Sequence, residues 1–507
     1  MCLGCSDAPP VAPPLPVLDP RVDPANVLGT ATSHEPASTP PFGGSVVTDV
    51  VLDDQARFAQ ALTGHRRKQF TGDLADVRTR GVLRVLTRNN STSYFLYQGV
   101  EAGFDYEIAR WLAEEMGVRL EMVVAPTARE LVPWLLDGKG DLILAGLSTD
   151  AARSDRVRFS RAYLESPWVV VVRKPLRGHA RRIKKMADLA GLDLLVRPSS
   201  GAMSRVRSFG IGGLAITGAL ESRESEDLLD AVGDKEASGA IVEERIAKVE
   251  LLHRGDLHIA FTLPGGDDVA GIAARKEDEA LWAFADDFVG RHRKDTDWNV
   301  IFMKYHSSKE RTAAMRKDAL RADKEGQLSP WDEAFITAGA EHDVDWRLLA
   351  AQAYQESRFD PQARSPMGAV GLMQLMPATA RELGCDRPQE PRPAIRAAAR
   401  YLKKIMKRFD DEPAVLLKDR VRFALGAYNA GAGHLEDARQ LARAQGLDGD
   451  RWFGNVETAM LLLSKPKHYR NARHGFARGD ETVRYVSEIQ ARYDAYVDLT
   501  TAKVSPR

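Results

Sequence analysis

A glutamate at the end of a helix, followed by a small-residue loop, is the strongest chemical feature of this chain. In residues 346–357 the side chains Trp346, Leu349, Ala350, Ala353, Tyr354 and Ser357 recur at the spacing of one helix face. Glu356 falls about 20° around the wheel from Leu349, on the border of that apolar stripe. Asp360-Pro361 cannot continue the helix, so Glu356 belongs to its last turn. An apolar neighbourhood disfavours the charged carboxylate, and so does the negative end of the helix dipole. Both raise its pKa, which suits a general acid working near neutral pH.

The next residues suit a binding loop. Gly368 and Gly371 allow positive φ or close backbone approach to a ligand. Gln374 lies between Met373 and Leu375, where an amide needs a partner that a hydroxyl-rich substrate would supply.

The string resembles lytic transglycosylases of the soluble-lytic-transglycosylase type. Their pattern E-S-x-F-x-P-x-A-x-S-x-x-G-A-x-G-L-M-Q-L-M-P is met by Glu356, Ser357, Phe359, Pro361, Ala363, Ser365, Gly368, Ala369 and residues 371–377. The downstream A-Y-N-A-G motif is met by residues 427–431, and a late tyrosine by Tyr485. This resemblance implies an all-α, goose-lysozyme-like domain that acts on peptidoglycan glycan strands. It implies Glu356 as the acid, and then the base, of a cleavage that closes a 1,6-anhydro ring. No water attacks in that reaction, so the carboxylate pair of ordinary glycosidases is not required. Ser365, Gln374, Tyr428 and Asn429 would position the sugars, and Met376 and Tyr485 would line the cleft. Asp360, the nearest second acid, reads as a turn residue. A hydrolysing muramidase on the same fold, or a wall-anchored solute receptor without activity, are the competing functions.

Upstream, short apolar strands alternate with helical segments: residues 82–87, 104–117, 120–124, 128–137 and 141–145, then 192–196, a helix after Gly201, and 240–242. This alternation predicts an α/β region with a largely parallel sheet, and residues 271–293 would complete its first lobe. The stretches LRVLT, AGFDYEIARWLAEEMGV and GDLILAGLSTDAARSDRVRFSRAYLESP resemble the family 3 periplasmic solute-binding domains. By that resemblance Arg153, four residues after Thr149, grips a ligand carboxylate with its planar fork. Tyr94 and Ser148 supply aromatic and hydroxyl contacts, and Glu243 stands where the family offers an Asp to the ligand amine. An ion pair is the alternative role for Arg153. The expected ligand is a muropeptide, a peptide or an amino-acid-like molecule. Such lobes fused ahead of a transglycosylase domain resemble the membrane-bound murein transglycosylases.

The expected layout is a lipoprotein signal, truncated, and a Pro-rich tether in residues 1–47, then a helical lead-in at 48–81. The two-lobed α/β domain follows at 82–308, a linker helix at 309–330 and the all-α catalytic domain at 331–500. Leu3-Gly4-Cys5-Ser6 resembles the end of a bacterial lipoprotein signal, which implies acylation at Cys5, a lipid anchor and attachment to the outer membrane facing the periplasm. Residues 8–41 are too poor in apolar side chains to fold and suit a tether. Lys+Arg and Asp+Glu balance at 71 each, and no basic cluster suggests nucleic acid. No stretch approaches the ~18 apolar residues of a membrane span. The 11 histidines and 3 cysteines show no metal-ligand spacing, and no cofactor is expected.

Overall fold

In a computed structural model the β-rich and helical halves form where side-chain periodicity places them. It describes residues 46–64, 68–97, 100–149, 151–165, 167–174, 183–266, 268–307, 319–320 and 328–501. Cys5, the tether and most of the expected linker helix lie outside these residues. A two-residue strand, Ala319–Leu320, pairs with Phe95–Tyr97.

Val82–Thr87, buried on both faces, is flanked by parallel Arg119–Val124 and Leu142–Ile143. Val269–Ala274 and Arg158–Glu165 extend this sheet antiparallel. The second sheet is built on Trp168–Arg173 and Gly239–Glu243, which run antiparallel, with Asp193–Val196 and Ala215–Gly218 added parallel and Leu257–Thr262 antiparallel. Both sheets are therefore mixed, not largely parallel. The chain leaves the first sheet after Glu165 and returns to it at Val269, and this double crossing makes two lobes.

The lobes differ in how they are buried. Each face of the second sheet has its own apolar cluster, one around Val169, Leu228 and Ala240, the other around Val170, Val196 and Ile241. In the first lobe the face carrying Leu83, Phe104 and Ile108 runs without a break into the core of the helical domain, through Phe335, Leu349 and Ile489. The lead-in is two helices, Val46–Thr63 and Leu74–Arg80. The first packs on Leu417–Ala430 of the helical domain and contributes Phe58 and Leu62 to the shared core, a reach the sequence does not announce.

The helical domain is all-α, as expected. Its centre is the helix Trp346–Ser357, in which Leu348, Leu349, Ala350, Ala351, Gln352 and Ala353 are buried, so no solvent face remains over that stretch. Asp332–His342, Pro391–Met406 and the long Gly479–Thr501 pack on it, and Leu417–Ala430 packs on the last two. The helix Ala432–Ala444 follows directly on Gly431 and is absent from the sequence reading.

Candidate active site and inter-lobe cleft

The central helix is tied to the terminal helix Gly479–Thr501 along its length. Asp345 caps its first turn by accepting from the Arg347 N–H at 2.9 Å, and also accepts from the Tyr493 hydroxyl at 3.0 Å. One end further on, Gln355 donates to Glu488 at 2.7 Å and Arg492 lies over the Tyr354 ring. The helix stops at Arg358 and Phe359, two consecutive non-glycine residues at φ 55° and 65°. That left-handed pair is costly for L-residues. It is held by the Phe359 ring, which packs on Tyr354 and Phe335.

This abrupt stop leaves Glu356 half-buried between the helix end and the terminal helix. Its Oε1 accepts from the Tyr485 hydroxyl at 2.5 Å. Burial pushes the carboxyl up to about 8, against the opposing pull of the Tyr485 hydrogen bond, and no neighbouring charge contributes. Burial first, and then the nearby Glu356, hold the phenols of Tyr428 and Tyr485 well above their usual range. Asp360 is exposed and accepts from the Gln362 N–H, a turn contact that leaves it outside the site.

The loop after the helix is braced by its own polar groups. Ser365 Oγ accepts from the Ala369 N–H at 3.0 Å, and Gln374 Nε2 donates to the carbonyls of Ala363 and Gly371. The donor half of Gln374 is therefore satisfied within the loop, contrary to the expectation of a sugar partner, and only its Oε1 remains to accept. Gln374 itself stands at φ 45°. Gly371, at φ 80°, is required twice over, since a Cβ there would lie 2.0 Å from the Pro388 carbonyl oxygen. Ser357 Oγ donates to the Leu372 carbonyl at 2.8 Å and Tyr428 to the Met373 carbonyl at 2.9 Å, fastening the loop to the helix that carries Glu356 and to its neighbour. Asn429 Oδ1 accepts from Thr482 Oγ1, one turn before Tyr485, which leaves its Nδ2 to donate. Met376 is exposed at the loop's end. Tyr485 is thus hydrogen-bonded to Glu356 and Tyr428 stands near enough to feel its charge, with Ser365, Gln374 and Asn429 on the strapped elements. Thr482, Ser357 and Gln352 complete the hydrogen bonding; Ser357 is a motif position that was given no role, and motif reading did not single out the other two.

The inter-lobe cleft is a different environment. Arg153 donates to Ser148 Oγ at 2.9 Å and, across the cleft, to the Ser199 carbonyl at 3.0 Å. Ser200, which starts the helix Gly201–Ser208, sends its hydroxyl back to the Arg197 carbonyl and does not cap it. Tyr94 departs from expectation: it is 1% exposed, its ring packs on Tyr106 and its hydroxyl donates to Glu101, inside the first lobe's core. Glu243 departs too. It accepts from Ser225 and faces Arg88 and Arg197, each 3.9 Å away. Burial pushes its carboxyl up, but Arg197, Arg88 and Arg245 together outweigh this and hold it at about 2. A ligand amine therefore finds this acid already neutralised. Arg88 grips Glu224, Ser91 N–H donates to Glu226 at 2.7 Å and Arg245 donates to Thr92, so the lobes are joined by their own charges. Among the described residues, Arg245 Nε and Nη2 and Arg197 Nε have no partner. No group of residues that could hold a metal occurs among the described residues.

A raised carboxyl at the end of a buried helix in an all-α domain, preceded by a two-lobed α/β domain, is the arrangement of a peptidoglycan lytic transglycosylase with a solute-binding module. Comparison agrees: the family described as Transglycosylase SLT domain matches residues 333–449, and Bacterial extracellular solute-binding proteins, family 3, match residues 83–308. Proteins named membrane-bound lytic murein transglycosylase F are similar over most of the chain. That of Stutzerimonas stutzeri is 31% identical over 84% of this chain and 87% of its own, and that of Photobacterium profundum 32% over 85% and 82%. A mutant of ArgBP from T. maritima is 25% identical with a TM-score of 0.42, over 46% of this chain and 99% of its own. The chain belongs to the membrane-bound lytic murein transglycosylase F family.

Proposed function

We propose that the chain cleaves the β-1,4 bond between N-acetylmuramic acid and N-acetylglucosamine without water. Glu356 gives its proton to the glycosidic oxygen as the C1–O bond breaks. Its carboxylate then takes the proton of the muramic C6 hydroxyl, whose oxygen bonds to C1 and closes the 1,6-anhydro ring. The observation that carries this reading is the isolation of Glu356: a carboxyl at about 8, hydrogen-bonded to Tyr485, with no second carboxylate contributing to its charge state. A hydrolase of either stereochemistry places a second acid within about 5–10 Å to act as nucleophile or to activate water. Ser365, Gln374, Tyr428 and Asn429 position the sugars, with Met376 and Tyr485 on the cleft wall.

The test is digestion of purified sacculi by the wild-type chain and by Glu356→Gln. Wild type is expected to release disaccharides one water lighter than hydrolysis products, and the variant none. Products of hydrolytic mass, or unchanged turnover by the variant, would overturn the assignment.

The inter-lobe cleft supports a regulatory role: it binds a wall-derived peptide, muropeptide or amino-acid-like ligand through a carboxylate. Arg153, braced by Ser148, and the unpartnered N–H groups of Arg197 and Arg245 are what such a carboxylate would meet. A thermal-shift screen of the whole chain with wall peptides, followed by turnover assays with those that bind, checks this; equal rates with and without every binder would count against regulation. Periplasmic location with a lipid on Cys5 is supported by the LGCS sequence and by the relatives' membrane-bound name. No helix among the described residues is long and apolar enough to cross a membrane. Cell fractionation of Cys5→Ser in the natural export context tests the anchor.

A further inference from the structure

The central helix carries one polar side chain that the reaction above does not use. Gln352 lies one turn before Glu356 and is 0% exposed among Leu348, Leu349, Ala351 and Ala353. Its Nε2 donates to the Tyr485 hydroxyl at 3.2 Å, and that hydroxyl donates to Glu356 Oε1. Its Oε1 has no partner among the described residues. An amide placed in an apolar helix core with half its capacity unmet costs stability. Something other than packing must favour it.

We infer that Gln352 is a positioning residue for the general acid: by donating to Tyr485 it sets the direction of the phenol proton, and thereby which oxygen of Glu356 carries the acid proton. The inference rests on Glu356 being that acid. A tyrosine hydroxyl has one proton to give and accepts on its lone pairs. With the Gln352 N–H on the accepting side, the phenol proton points at Glu356 Oε1. Oε1 then accepts, so the acid proton sits on Oε2. Glu356 keeps partial exposure, and no described residue bonds Oε2, so Oε2 is the oxygen open to the cleft. Without Gln352 the phenol is free to turn and accept from a proton on Oε1. The neutral acid would be equally well bonded, but its proton would face the protein and not the sugar. Reversing the Gln352 amide does not restore the order. Two acceptors would compete for one phenol proton, and a two-donor NH2 would be stranded in place of one carbonyl.

The test compares Gln352→Leu and Gln352→Met, each alone and combined with Tyr485→Phe, by turnover on sacculi across pH. Either single variant is expected to lower kcat about 10- to 100-fold with KM unchanged. Its alkaline limb should move to higher pH, because the Tyr485 hydrogen bond that favours the charged carboxylate is weakened. The thermal midpoint should hold or rise, since an apolar side chain replaces a half-satisfied amide. In the Tyr485→Phe background, replacing Gln352 should change nothing further. Unchanged kcat, or losses that multiply in the double variants, would overturn the inference. Methionine keeps the side chain's length should leucine pack poorly. An active Glu356→Gln protein would instead overturn the assignment of the acid, so the two failures are separable.

Discussion

Two glutamates in this chain, Glu356 half-buried and Glu243 buried, are driven in opposite directions. Glu356 is raised to about 8 by burial, with one neutral hydroxyl for company; Glu243 is held at about 2 by three guanidinium groups that outweigh its burial. The same side chain is a proton donor in one cleft and a permanent anion in the other, and the difference lies wholly in what surrounds it. Catalysis needs a carboxyl that is mostly protonated at neutral pH and gives its proton up easily. A hinge between two lobes needs charge that stays put and pairs across the gap.

The sharpest way to break the comparison is at Glu356. Glu356→Gln keeps an oxygen for Tyr485 but has no proton to give, and should lower kcat on the order of a thousandfold. In the wild type, kcat should fall about tenfold per pH unit above roughly pH 8 as the acid ionises. Stability should fall with rising pH too, over a lower window. A carboxyl raised from 4.5 to about 8 on folding weakens the fold as pH rises through that window, because the unfolded chain releases its proton first. The variant escapes this penalty, so its advantage in thermal midpoint should be near zero at pH 4 and grow up to about pH 8. A constant offset across pH would mean that Glu356 is not the raised group.

Next in size is Glu243→Gln. Removing that charge leaves Arg88, Arg197 and Arg245 facing one another with less to balance them. Breaking a buried pair of this kind costs about 3–5 kcal/mol. A carboxyl lowered from 4.5 to about 2 supports the fold above pH 4.5 and loses that support as pH falls toward 2. The unfolding transition that includes the second lobe should therefore fall at pH 7, and the gap to wild type should narrow in acid. Equal midpoints at pH 7 would show that the inter-lobe charges do not hold the lobes.

The two clefts also differ in how far they were legible. Glu356, Ser365 and Gln374 sit in one contiguous string, where helix period, breaker and small-residue loop are local facts, so the helix end and its loop could be placed from sequence. Tyr485 lies 129 residues from its partner and was reachable only through resemblance to a family. Gln352 gave no signal, because an amide at a helix position carries no mark of what it will face. Tyr94 and Glu243 were misplaced for a related reason. Their roles depend on which way a strand residue turns once the lobes meet, and on cations at Arg88, Arg197 and Arg245 that are scattered over some 150 residues of sequence. The mixed sheets likewise depend on strand directions that alternation alone does not specify.

The smallest effect concerns how the cleft with fixed charge is attached to the cleft with the movable proton. The second lobe meets the first through ion pairs, whereas the first lobe shares a continuous apolar core with the catalytic domain. Lobe opening should therefore break charge pairs before it disturbs the first lobe's seat on the terminal helix that carries Tyr485. At that seat the Phe453 ring is sandwiched between Arg119 of the first lobe, 3.6 Å from its centroid, and Arg422 of the catalytic domain, 4.4 Å away. Burial lowers the pKa of both guanidinium groups, and Arg422 further lowers that of Arg119; Glu457, Asp494 and Asp419 oppose this from the catalytic side, and Glu121 from the lobe. The aromatic face and these carboxylates together let two cations approach each other. Phe453→Leu fills most of the same space without that face, and should cost about 1–2 kcal/mol. Because the surrounding core is untouched, basal turnover should hold, while the two domains should unfold at more widely separated temperatures in calorimetry. If the leucine variant melts like wild type, the apolar core alone joins the first lobe to the catalytic domain, and the stacked arginines are bystanders.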